Sequence, residues 1–573
     1  MHTTLENVLT CQNKAPYKIN SPVTRWFMAL VALVTILRLI IASAVPLGGD
    51  EAYYWLWSKH LSLGYYDHPP LISLLIYLFG LAGGDAIVFV RMASVLLASL
   101  AAWTTFILAE RVTGSLRTAF IAGLLTMACP IFAAKALEIS PDSPLVAFSM
   151  LYVFTAYMAI FENRRIYWLW MGVWFGLAIL TKLTAFLLPV SLAAFLITSP
   201  GHRGFLKRPE PYLSLLVSGL IFSPFLSWCA LNNWVTFRFH MITRVSQEAY
   251  AWKNYLPKFL GEQAAAYSPF LFILALAAIV KVFLTQANGR SVDKSRYMFL
   301  AMFGLVPIGI FGLISIRCQI FPHWTMAAYP PLFILCAALY GMWRECGAGW
   351  KAGFFNFAAG FAVFMTVLFY VALSSPGLQS CFIKPGEHNE IFAYTKLAGL
   401  IKQSADARMF VLTDSYARSS SLSYYTGRQA YLITRTQIMG KEFLRWQDMN
   451  GLIGRDAIYV DAFPLSERQD IAEILKTSFR TVEPEQVWPI YSSNSLFKRE
   501  GFLVKNFYVT VCRDFRKNNF YDERDIRLLN ALQPLNKTGI RRPTENAKDA
   551  ESFTNRIKHA RLSMKSIRNI SGR

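Results

Sequence analysis

The stretch WFMALVALVTILRLIIASAVPL, residues 26–47, is followed at once by GGDEAYYWLW, residues 48–57, and this junction decides the fold. The first part is apolar and long enough to cross a bilayer, which takes about 20 residues. Three basic residues lie within residues 14–25, and positive charge favours the cytoplasmic side of a span. The triplet ASA at 42–44 is similar to a signal-peptidase site, but the length of the run favours an uncleaved helix with a cytoplasmic N-terminus.

Apolar segments of similar length recur along the chain. The 573 residues are 54% hydrophobic and only 16% charged, whereas soluble proteins are about 25% charged. With the first helix, these segments predict about 11 transmembrane spans, and a shorter apolar piece at 71–82 predicts an interfacial helix. A break at Lys182 leaves open whether two half-length helices or one kinked helix forms there. The further spans are predicted at 86–110, 118–134, 143–161, 166–181, 183–199, 212–231, 268–285, 298–316, 324–343 and 352–374.

The formal net charge is +22, and such a charge can indicate nucleic-acid binding. Here the basic clusters fall in loops on the same side of the predicted spans as the N-terminus, as the positive-inside rule requires. Membrane topology therefore accounts for the charge, and nucleic acid is not an expected partner. An odd number of spans then puts the chain after Ser375 on the outer face. The clusters lie at 111–117, 162–165, 202–208, 281–296 and 344–351.

The composition changes after residue 375. Short β-branched runs alternate with helix-like stretches, and this alternation predicts a small extracytoplasmic α/β domain at 376–540. The segment 541–573 is polar and basic and predicts a flexible tail. Cys381 and Cys512 both fall in the domain, and whether they form a disulfide is left open by their separation in sequence. Strands are predicted at 408–412, 457–460 and 502–511, and helices at 390–403 and 467–477.

The first outer loop carries the densest set of polar side chains. Asp50 and Glu51 come directly after the first span, and Asp67 and His68 precede a pair of prolines. Asp50 is a good N-cap for a helix that starts at Glu51, and Asp67 is one for a helix that starts at the prolines. A carboxylate fixed at a helix start is also well positioned for chemistry, so capping and catalysis both remain open.

The second outer loop repeats the pattern. Asp142 stands before a predicted span with a proline in its first turn, which again suits a cap. Lys135 and Glu138 lie at the end of an apolar segment, where charged side chains are costly and commonly have a function.

Basic residues also occur on the face that normally lacks them. Lys182 lies inside an apolar stretch, and Arg317 and His323 lie between two predicted spans on the outer side. Cations in these places suggest an anionic ligand, while snorkelling to lipid phosphates is the alternative for each single residue. Further basic residues of this kind are Arg238, Arg244, Lys253 and Lys258.

Five motifs together resemble the polyprenyl-phosphate-sugar-dependent glycosyltransferases of the GT-C fold. Within these, the chain is similar to the bacterial relatives of protein O-mannosyltransferases, which include the lipid A aminoarabinose transferases and the galacturonosyltransferases of lipopolysaccharide. The motifs are DEAYYWLWSK at 50–59, GYYDHPPL at 64–71, SPDS at 140–143, LTK at 180–182 and PHWTMAAYP at 322–330.

The resemblance implies a mainly α, polytopic membrane protein of the GT-C type. Residues 1–25 would be the cytoplasmic N-terminus and 26–375 the transmembrane glycosyltransferase module, with catalytic outer loops at 48–85 and 135–142. The domain at 376–540 would then be periplasmic, as in the bacterial members, which have similar motifs at TDSY (413–416) and SYYTG (423–427).

The resemblance also implies roles for the polar residues. Asp50 and Glu51 would be catalytic. Residues implied to bind acceptor or metal are Asp142, Glu138, Asp67 and His68. Residues implied to hold the donor phosphate are Lys135, Lys182, Arg317 and His323. The chain has His68 where the aminoarabinose enzymes have a lysine, which puts the donor sugar in doubt, and its YYDHPPL loop looks closer to the galacturonosyl branch.

The implied reaction moves a sugar from a polyprenyl-phosphate donor to a periplasmic acceptor by inverting displacement, in the bacterial inner membrane. Galacturonic acid, aminoarabinose and a hexose such as mannose are the candidate sugars, and lipid A, lipopolysaccharide core and protein are the candidate acceptors. Membrane lipids are the other expected partners. A divalent metal ion is the one candidate cofactor. The alternative class of function is a transporter or flippase of a lipid-linked anion.

Overall fold

The computed structural model describes residues 21–243, 255–286, 292–374, 390–404, 408–491 and 503–532, together with Lys384, Gly386 and Asp406. A helical part extends to residue 374, and a smaller part built on a six-stranded sheet follows it. The predicted tail at 541–573 and Cys381 lie outside the described residues, so the disulfide stays a prediction.

The helical part consists of fifteen α-helices of eight residues or more within the described residues. The first eight are α1 (Pro22–Ala44), α2 (Gly49–Lys59), α3 (Leu71–Gly83), α4 (Ile87–Thr113), α5 (Leu116–Ala128), α6 (Pro130–Leu137), α7 (Asp142–Phe161) and α8 (Ile166–Thr181). The others are α9 (Leu187–Thr198), α10 (Glu210–Leu231), α11 (Leu256–Tyr267), α12 (Pro269–Gln286), α13 (Val292–Ile314), α14 (Tyr329–Glu345) and α15 (Gly349–Ser374).

Helices occupy each segment in which the sequence predicts a membrane span. Among the described residues, 7 helices are long and apolar enough to cross a bilayer, or up to 9 if each bent helix pair is one span. The helices α8 and α9 are shorter, and the extended backbone of Lys182 separates α8 from the 3₁₀ turn that leads into α9. The chain is therefore a polytopic membrane protein, and the number of 11 spans stays a prediction.

The helical core is centred on α7, which is buried over most of its length and packs between α4 and α8. Lipid tails are as apolar as leucine, so close van der Waals packing rather than burial from water holds such helices together. Gly172 of α8 illustrates this packing, because a Cβ atom there would lie 2.4 Å from the carbonyl oxygen of Ser214 in α10. A larger side chain at this position would push α8 and α10 apart.

The sheet of the C-terminal part has the strand order β2-β1-β3-β6-β4, with β5 also paired to β6. Strand β1 is parallel to β2 and β3, whereas β6 is antiparallel to β3, β4 and β5. The strands are β1 (Phe410–Thr413), β2 (Ala430–Leu432), β3 (Ala457–Asp461), β4 (Phe479–Val482), β5 (Gln486–Tyr491) and β6 (Leu503–Phe515). The helices are α16 (Tyr394–Ser404), α17 (Tyr416–Thr426), α18 (Gln469–Ser478) and α19 (Glu523–Leu532). The predicted α/β character is confirmed, whereas β2, β4 and β5 were not predicted.

Several loops of the helical part meet at one end of the bundle, which we call the loop end. It carries residues 45–86, 138–142, 232–243 and 315–323, whose segments contact one another directly. The C-terminal domain sits on this end. The hydroxyl of Tyr425 accepts a hydrogen bond from the Leu47 amide at 2.7 Å. A Cβ atom on Gly49 would lie 2.4 Å from the Ala417 methyl group, so glycine is needed for this close contact between α2 and α17.

Candidate active site

The helix α2 begins at Gly49, one turn before the tyrosines of the first loop. Gly48 is the N-cap, and its amide donates to Oε2 of Glu51 at 2.8 Å. Glu51 therefore satisfies an amide that a helix start would otherwise leave without a partner. The prediction that Asp50 caps a helix starting at Glu51 is wrong, because Asp50 lies inside the first turn and its side chain points elsewhere.

Glu51 is held by Arg91 of α4 in a buried ion pair. The guanidinium Nη2 and Nε atoms donate to the two carboxylate oxygens at 2.5 and 2.7 Å, and both side chains are nearly inaccessible to solvent. The amide of Ile139 adds a further bond to Oε1 at 2.9 Å. Both carboxylate oxygens of Glu51 are thus occupied, and the catalytic role implied for it stays a prediction.

Arg91 also fixes the end of the first span. Its Nη1 donates to the carbonyls of Ala42 and Val45, and its Nη2 donates to that of Pro46, all at 2.8 Å. The guanidinium thereby joins α1, α2 and α4. The sequence interpretation missed this residue, although a charge near the outer end of the predicted span 86–110 is a signal for a functional or structural partner.

Asp50 is exposed at the loop end and accepts a hydrogen bond from the hydroxyl of Tyr416, at 2.8 Å from Oδ1. Tyr416 is the first residue of α17, and its ring packs edge-on against Tyr53 with the centroids 5.2 Å apart. The C-terminal domain thus supplies a hydroxyl to the accessible carboxylate of the first loop. Tyr416 was noted in the sequence only within the TDSY motif.

Asp142, Lys182 and His323 come together from three distant parts of the chain. The Lys182 ammonium lies 2.7 Å from Oδ1 of Asp142, and Nε2 of His323 lies 4.0 Å from Oδ2. The same ammonium is 5.9 Å from the ring centre of Trp324. The predicted capping role of Asp142 is wrong, because α7 starts at this residue and the carboxylate makes no cap bond.

Lys135 and Glu138 form a second ion pair beside this group. The ammonium donates to both carboxylate oxygens of Glu138, at 2.8 and 2.9 Å. Burial raises the pKa of Glu138, Lys135 opposes this, and the charges of Glu51 and Asp50 add to the increase. Glu138 precedes Ile139, whose amide donates to Glu51, so the pair lies next to the first loop.

Tyr54 connects the two acidic groups. Burial raises the pKa of its hydroxyl well above the usual value, and the charges of Asp50, Tyr416, Asp67 and Asp142 raise it further. One buried phenol of α2 therefore feels carboxylates from both outer loops. With the bond from the Ile139 amide to Glu51, the first and second loops also contact each other directly.

Asp67 and His68 lie behind α2, away from the accessible face. Asp67 is fully buried and accepts a hydrogen bond from the Tyr53 hydroxyl at 2.8 Å. The ring of His68 lies 5.4 Å from that of His240, whose Nε2 is 2.7 Å from the Asp67 carbonyl oxygen. The prediction that Asp67 caps the next helix is wrong, because α3 starts at Leu71 with Pro70 as its N-cap. The role in binding acceptor or metal that the sequence implies for Asp67 and His68 stays a prediction.

Of the other predicted cations, Arg317 and Arg238 lie at the loop end and Lys258 lies in α11. Arg317 is exposed in the turn after α13, six residues before His323. Lys258 lies 3.7 Å from Glu262, and Arg238 is exposed at the end of a short helix after α10. Arg244 and Lys253 lie outside the described residues.

The carboxylates of the site suit cationic side chains better than a bound metal. In the part of the chain that the structure describes, no group of three or more His, Cys, Asp or Glu side chains could hold a metal ion. Asp142 and Glu138 are each engaged by a lysine ammonium. We therefore derive no step through a metal ion.

The buried carboxyl group of Asp67 should make the stability of the folded protein depend on pH. Burial, with the charges of Glu442 and Asp50, raises the pKa of its carboxyl to about 7, against the lowering effect of the Tyr53 hydrogen bond. The folded chain binds this proton more tightly than the unfolded chain, so stability is lost as the pH rises from about 4 to about 7. We expect Asp67→Asn to stabilise the protein increasingly between pH 5 and pH 8, by up to a few kcal/mol at about 1.4 kcal/mol per pKa unit.

Thermal unfolding in detergent at pH 5, 6.5 and 8 measures this effect. The matched control is Asp470→Asn, which changes an exposed carboxylate at the start of α18 and should give the same small difference at each pH. An Asp67→Asn protein whose loss or gain of stability does not vary with pH would contradict the assignment.

Comparison with known proteins gives a family match and relatives for part of the chain. The family model described as dolichyl-phosphate-mannose-protein mannosyltransferase matches residues 67–228. The chain is 26% identical over 300 residues to the lipid A galacturonosyltransferase RgtD of Rhizobium johnstonii, covering 52% of this chain and 61% of the relative. It is 25% identical over 308 residues to the undecaprenyl phosphate-alpha-4-amino-4-deoxy-L-arabinose arabinosyl transferase of Pseudomonas paraeruginosa, covering 52% and 53%. The matched region thus spans less than two thirds of either relative.

Solved structures show the fold over a larger part of the chain. ArnT from Cupriavidus metallidurans, bound to undecaprenyl phosphate, superposes with a TM-score of 0.61 at 16% identity, covering 87% of this chain and 99% of that one. The apo form of the same protein gives a TM-score of 0.60. The chain therefore has the GT-C fold that the sequence predicts.

Proposed function

We propose that the protein is a membrane glycosyltransferase that moves a sugar from a polyprenyl-phosphate donor to a lipid acceptor. The observation that carries this proposal is the pairing of an accessible carboxylate, Asp50, with a neighbouring group of ammonium and imidazole side chains at one end of the bundle. The names of the relatives support it, because RgtD is a lipid A galacturonosyltransferase and the Pseudomonas relative is an undecaprenyl-phosphate aminoarabinosyl transferase.

The donor phosphate has candidate partners in Lys135, Lys182 and His323, with Arg317 on the same end of the bundle. Lys182 and Lys135 are mostly buried and are each held by a carboxylate. A phosphate that approaches them exchanges or shares these carboxylate contacts, and cations neutralise the charge that develops on it as a leaving group. The polyprenyl chain would lie in the bilayer among the helices.

The reaction is a single displacement at the anomeric carbon. The acceptor oxygen forms the new glycosidic bond while the bond from the anomeric carbon to the phosphate oxygen breaks, which releases polyprenyl phosphate and inverts the configuration. An acceptor hydroxyl gives its proton to Asp50, which is within reach of solvent and carries one hydrogen bond from Tyr416. If the acceptor is a phosphate oxygen, it is already ionised, and Asp50 orients it. The donor bond supplies the driving force, so no nucleotide is needed.

The candidate sugars stay galacturonic acid, aminoarabinose and a hexose, with lipid A as the acceptor that the relatives favour and lipopolysaccharide core or protein as the others. Purified protein should transfer labelled sugar from one undecaprenyl-phosphate donor to lipid A. Mass spectrometry of lipid A and core oligosaccharide from a deletion strain should show the loss of that one sugar mass. Movement of the donor across vesicles without transfer would instead favour a transporter.

We also propose that the loop end and the C-terminal domain face the periplasm. The basic clusters at the opposite ends of the predicted spans support this orientation. A single cysteine at position 50 or 470 should react with a membrane-impermeant thiol reagent in intact spheroplasts. Labelling that requires permeabilised membranes would reverse the topology and end the proposal.

Tyr416 should tune Asp50 without binding the donor. Removing its hydroxyl with Tyr416→Phe deletes a hydrogen bond to a carboxylate, and we expect kcat to fall about tenfold. The KM for the donor should stay unchanged, because the cations assigned to the donor phosphate are not touched.

The matched control is Tyr424→Phe. Tyr424 also lies in α17, and the substitution removes a hydroxyl that donates to the carbonyl of Asp85. Steady-state transfer rates between pH 5 and 9 distinguish the two variants. Equal kinetic effects of both substitutions would indicate that α17 acts through domain packing alone.

A further inference from the structure

A second electropositive region lies at the loop end, apart from the donor-phosphate residues. It is a cavity of about 720 Å³ between the short helix Val235–Arg238, the turn after β2, and α19. We call it the basic cleft. Five of its lining side chains are basic: Arg238, Arg435, Lys441, Arg524 and Arg527.

The only acid among the lining residues is already neutralised. Asp525 is buried, accepts a bond from the Thr434 hydroxyl at 2.8 Å and pairs with the Lys441 ammonium at 2.5 Å. Lys441 and Asp525 therefore neutralise each other, and the positive charge of the basic cleft comes from its arginines.

The arginines retain donors for a ligand. Arg524 pairs with Asp522 at 2.9 Å, and Nε of Arg527 donates to a carbonyl of its own helix. Within the described ranges, the guanidinium groups of Arg238 and Arg435 make no hydrogen bond or ion pair, and both residues are exposed. Guanidinium forks bind the oxygens of phosphates and carboxylates in pairs, and several forks around one cleft suit a group with more than two acceptor oxygens, such as a phosphate.

The position of the basic cleft favours a lipid over a soluble anion. The short helix that carries Arg238 follows directly on the membrane helix α10. Large apolar side chains around it are exposed: Leu231 by 62%, Trp234 by 46% and Met241 by 73%. Exposed leucine, tryptophan and methionine beside a span are typical of the zone where acyl chains meet head groups.

A chain of contacts joins the candidate active site to the basic cleft. Tyr66 lines it, and the amide of Tyr66 is held at 2.7 Å by Glu442, the neighbour of Lys441. The next residue, Asp67, bonds to Tyr53, which packs against Tyr416, the partner of Asp50. A lipid head group held here would therefore contact Tyr66, from which these contacts lead to Asp50.

We propose that the basic cleft binds the phosphate groups of the acceptor, a phosphorylated glycolipid whose acyl chains lie along Leu231, Trp234 and Met241. The identification of this lipid as the acceptor rests on the proposed function, whereas the binding of a phosphorylated lipid in the basic cleft does not. Two separate sets of cations match a reaction with two anionic lipids, one donor and one acceptor. The donor set at Lys182 and the acceptor set at Arg238 then act independently.

The test uses the full chain in phosphatidylcholine nanodiscs, with binding measured by native mass spectrometry. The probes are bisphosphorylated lipid A, the same lipid after removal of its phosphates, and undecaprenyl phosphate. The variant combines Arg238→Ala, Arg435→Ala and Arg527→Ala. The control removes the same charge from exposed positions elsewhere on the domain with Lys402→Ala, Lys476→Ala and Arg480→Ala.

We expect the cleft variant to bind bisphosphorylated lipid A at least about tenfold more weakly, the effect of losing one or two charge-assisted hydrogen bonds. Undecaprenyl phosphate should bind as before, and the control variant should behave as wild type. Unchanged affinity of the cleft variant, an equal loss in the control, or equal binding of the dephosphorylated lipid would each overturn the inference.

These experiments distinguish a failure of the proposed lipid site from a failure of the proposed function. If no donor supports transfer while the cleft variant still loses the phosphorylated lipid, the proposed function is wrong and the lipid site stands. If transfer occurs but the cleft variant binds lipid A normally, the function stands and the site is wrong.

Discussion

Asp50→Asn should lower the rate of sugar transfer by about 10²–10⁴-fold, which is the usual contribution of a general base. The substitution keeps the shape of the side chain and its hydrogen bond from Tyr416 but removes the group that takes the proton. Donor binding should be unchanged, because the cations assigned to the phosphate are not touched. The measurement is single-turnover transfer of labelled sugar to lipid A, with donor binding measured in parallel.

The matched control for this substitution is Asp470→Asn, an exposed carboxylate of the same type on the C-terminal domain. Thermal unfolding of both proteins should be close to wild type, because Asp50 is exposed and its one bond survives. An Asp50→Asn protein with wild-type turnover would remove Asp50 from the mechanism. If the Asp50→Asn protein kept its activity only when the acceptor group is a phosphate, the role of Asp50 would be limited to orienting the nucleophile.

Arg91→Ala should have the largest effect on stability, on the order of 3–5 kcal/mol, because it leaves the Glu51 carboxylate buried without its cation. It also frees the three carbonyls at the end of α1, so the start of α2 loses its anchor. Thermal unfolding in detergent, followed by intrinsic tryptophan fluorescence, measures the loss. Activity should fall with it, since Asp50 is in the same helical turn as Glu51.

Two companion variants make this result specific. Lys59→Ala breaks an ion pair with Asp85 in which both side chains are about half exposed, and we expect little change. Glu51→Gln combined with Arg91→Met removes both buried charges and should recover part of the stability. An Arg91→Ala protein as stable as the Lys59→Ala protein would show that the buried pair is not the anchor.

Apolar length was enough to place a helix in each predicted span, because a bilayer demands about 20 apolar residues wherever a helix crosses it. It did not predict α11, or the break between α5 and α6 within the predicted span 118–134. The C-terminal strands were predicted only where the runs were β-branched. Strand β5 contains Pro489 and lies at an edge of the sheet, and β2 is only three residues long, so neither has a clear sequence pattern.

The sequence predicted which charged residues belong to the candidate site, but it predicted their structural roles only in part. Asp142, Lys182 and His323 were singled out as charges at membrane helix ends, and the structure brings them together. Capping was the simplest interpretation of three aspartates, and none of them caps. The bond between Tyr416 and Asp50 joins positions 366 residues apart, and no local pattern can reveal such a partner.

The contact of α17 with α2 has a consequence for engineering. The carboxylate that faces the acceptor belongs to one half of the chain and its hydroxyl partner to the other. Chimaeras that graft a related enzyme's sheet domain onto this bundle must therefore inherit a tyrosine at position 416 and a small residue opposite Gly49. Without both, the two parts of the chimaera would fold, but the contact between α17 and α2 would not form and Asp50 would have no hydroxyl partner.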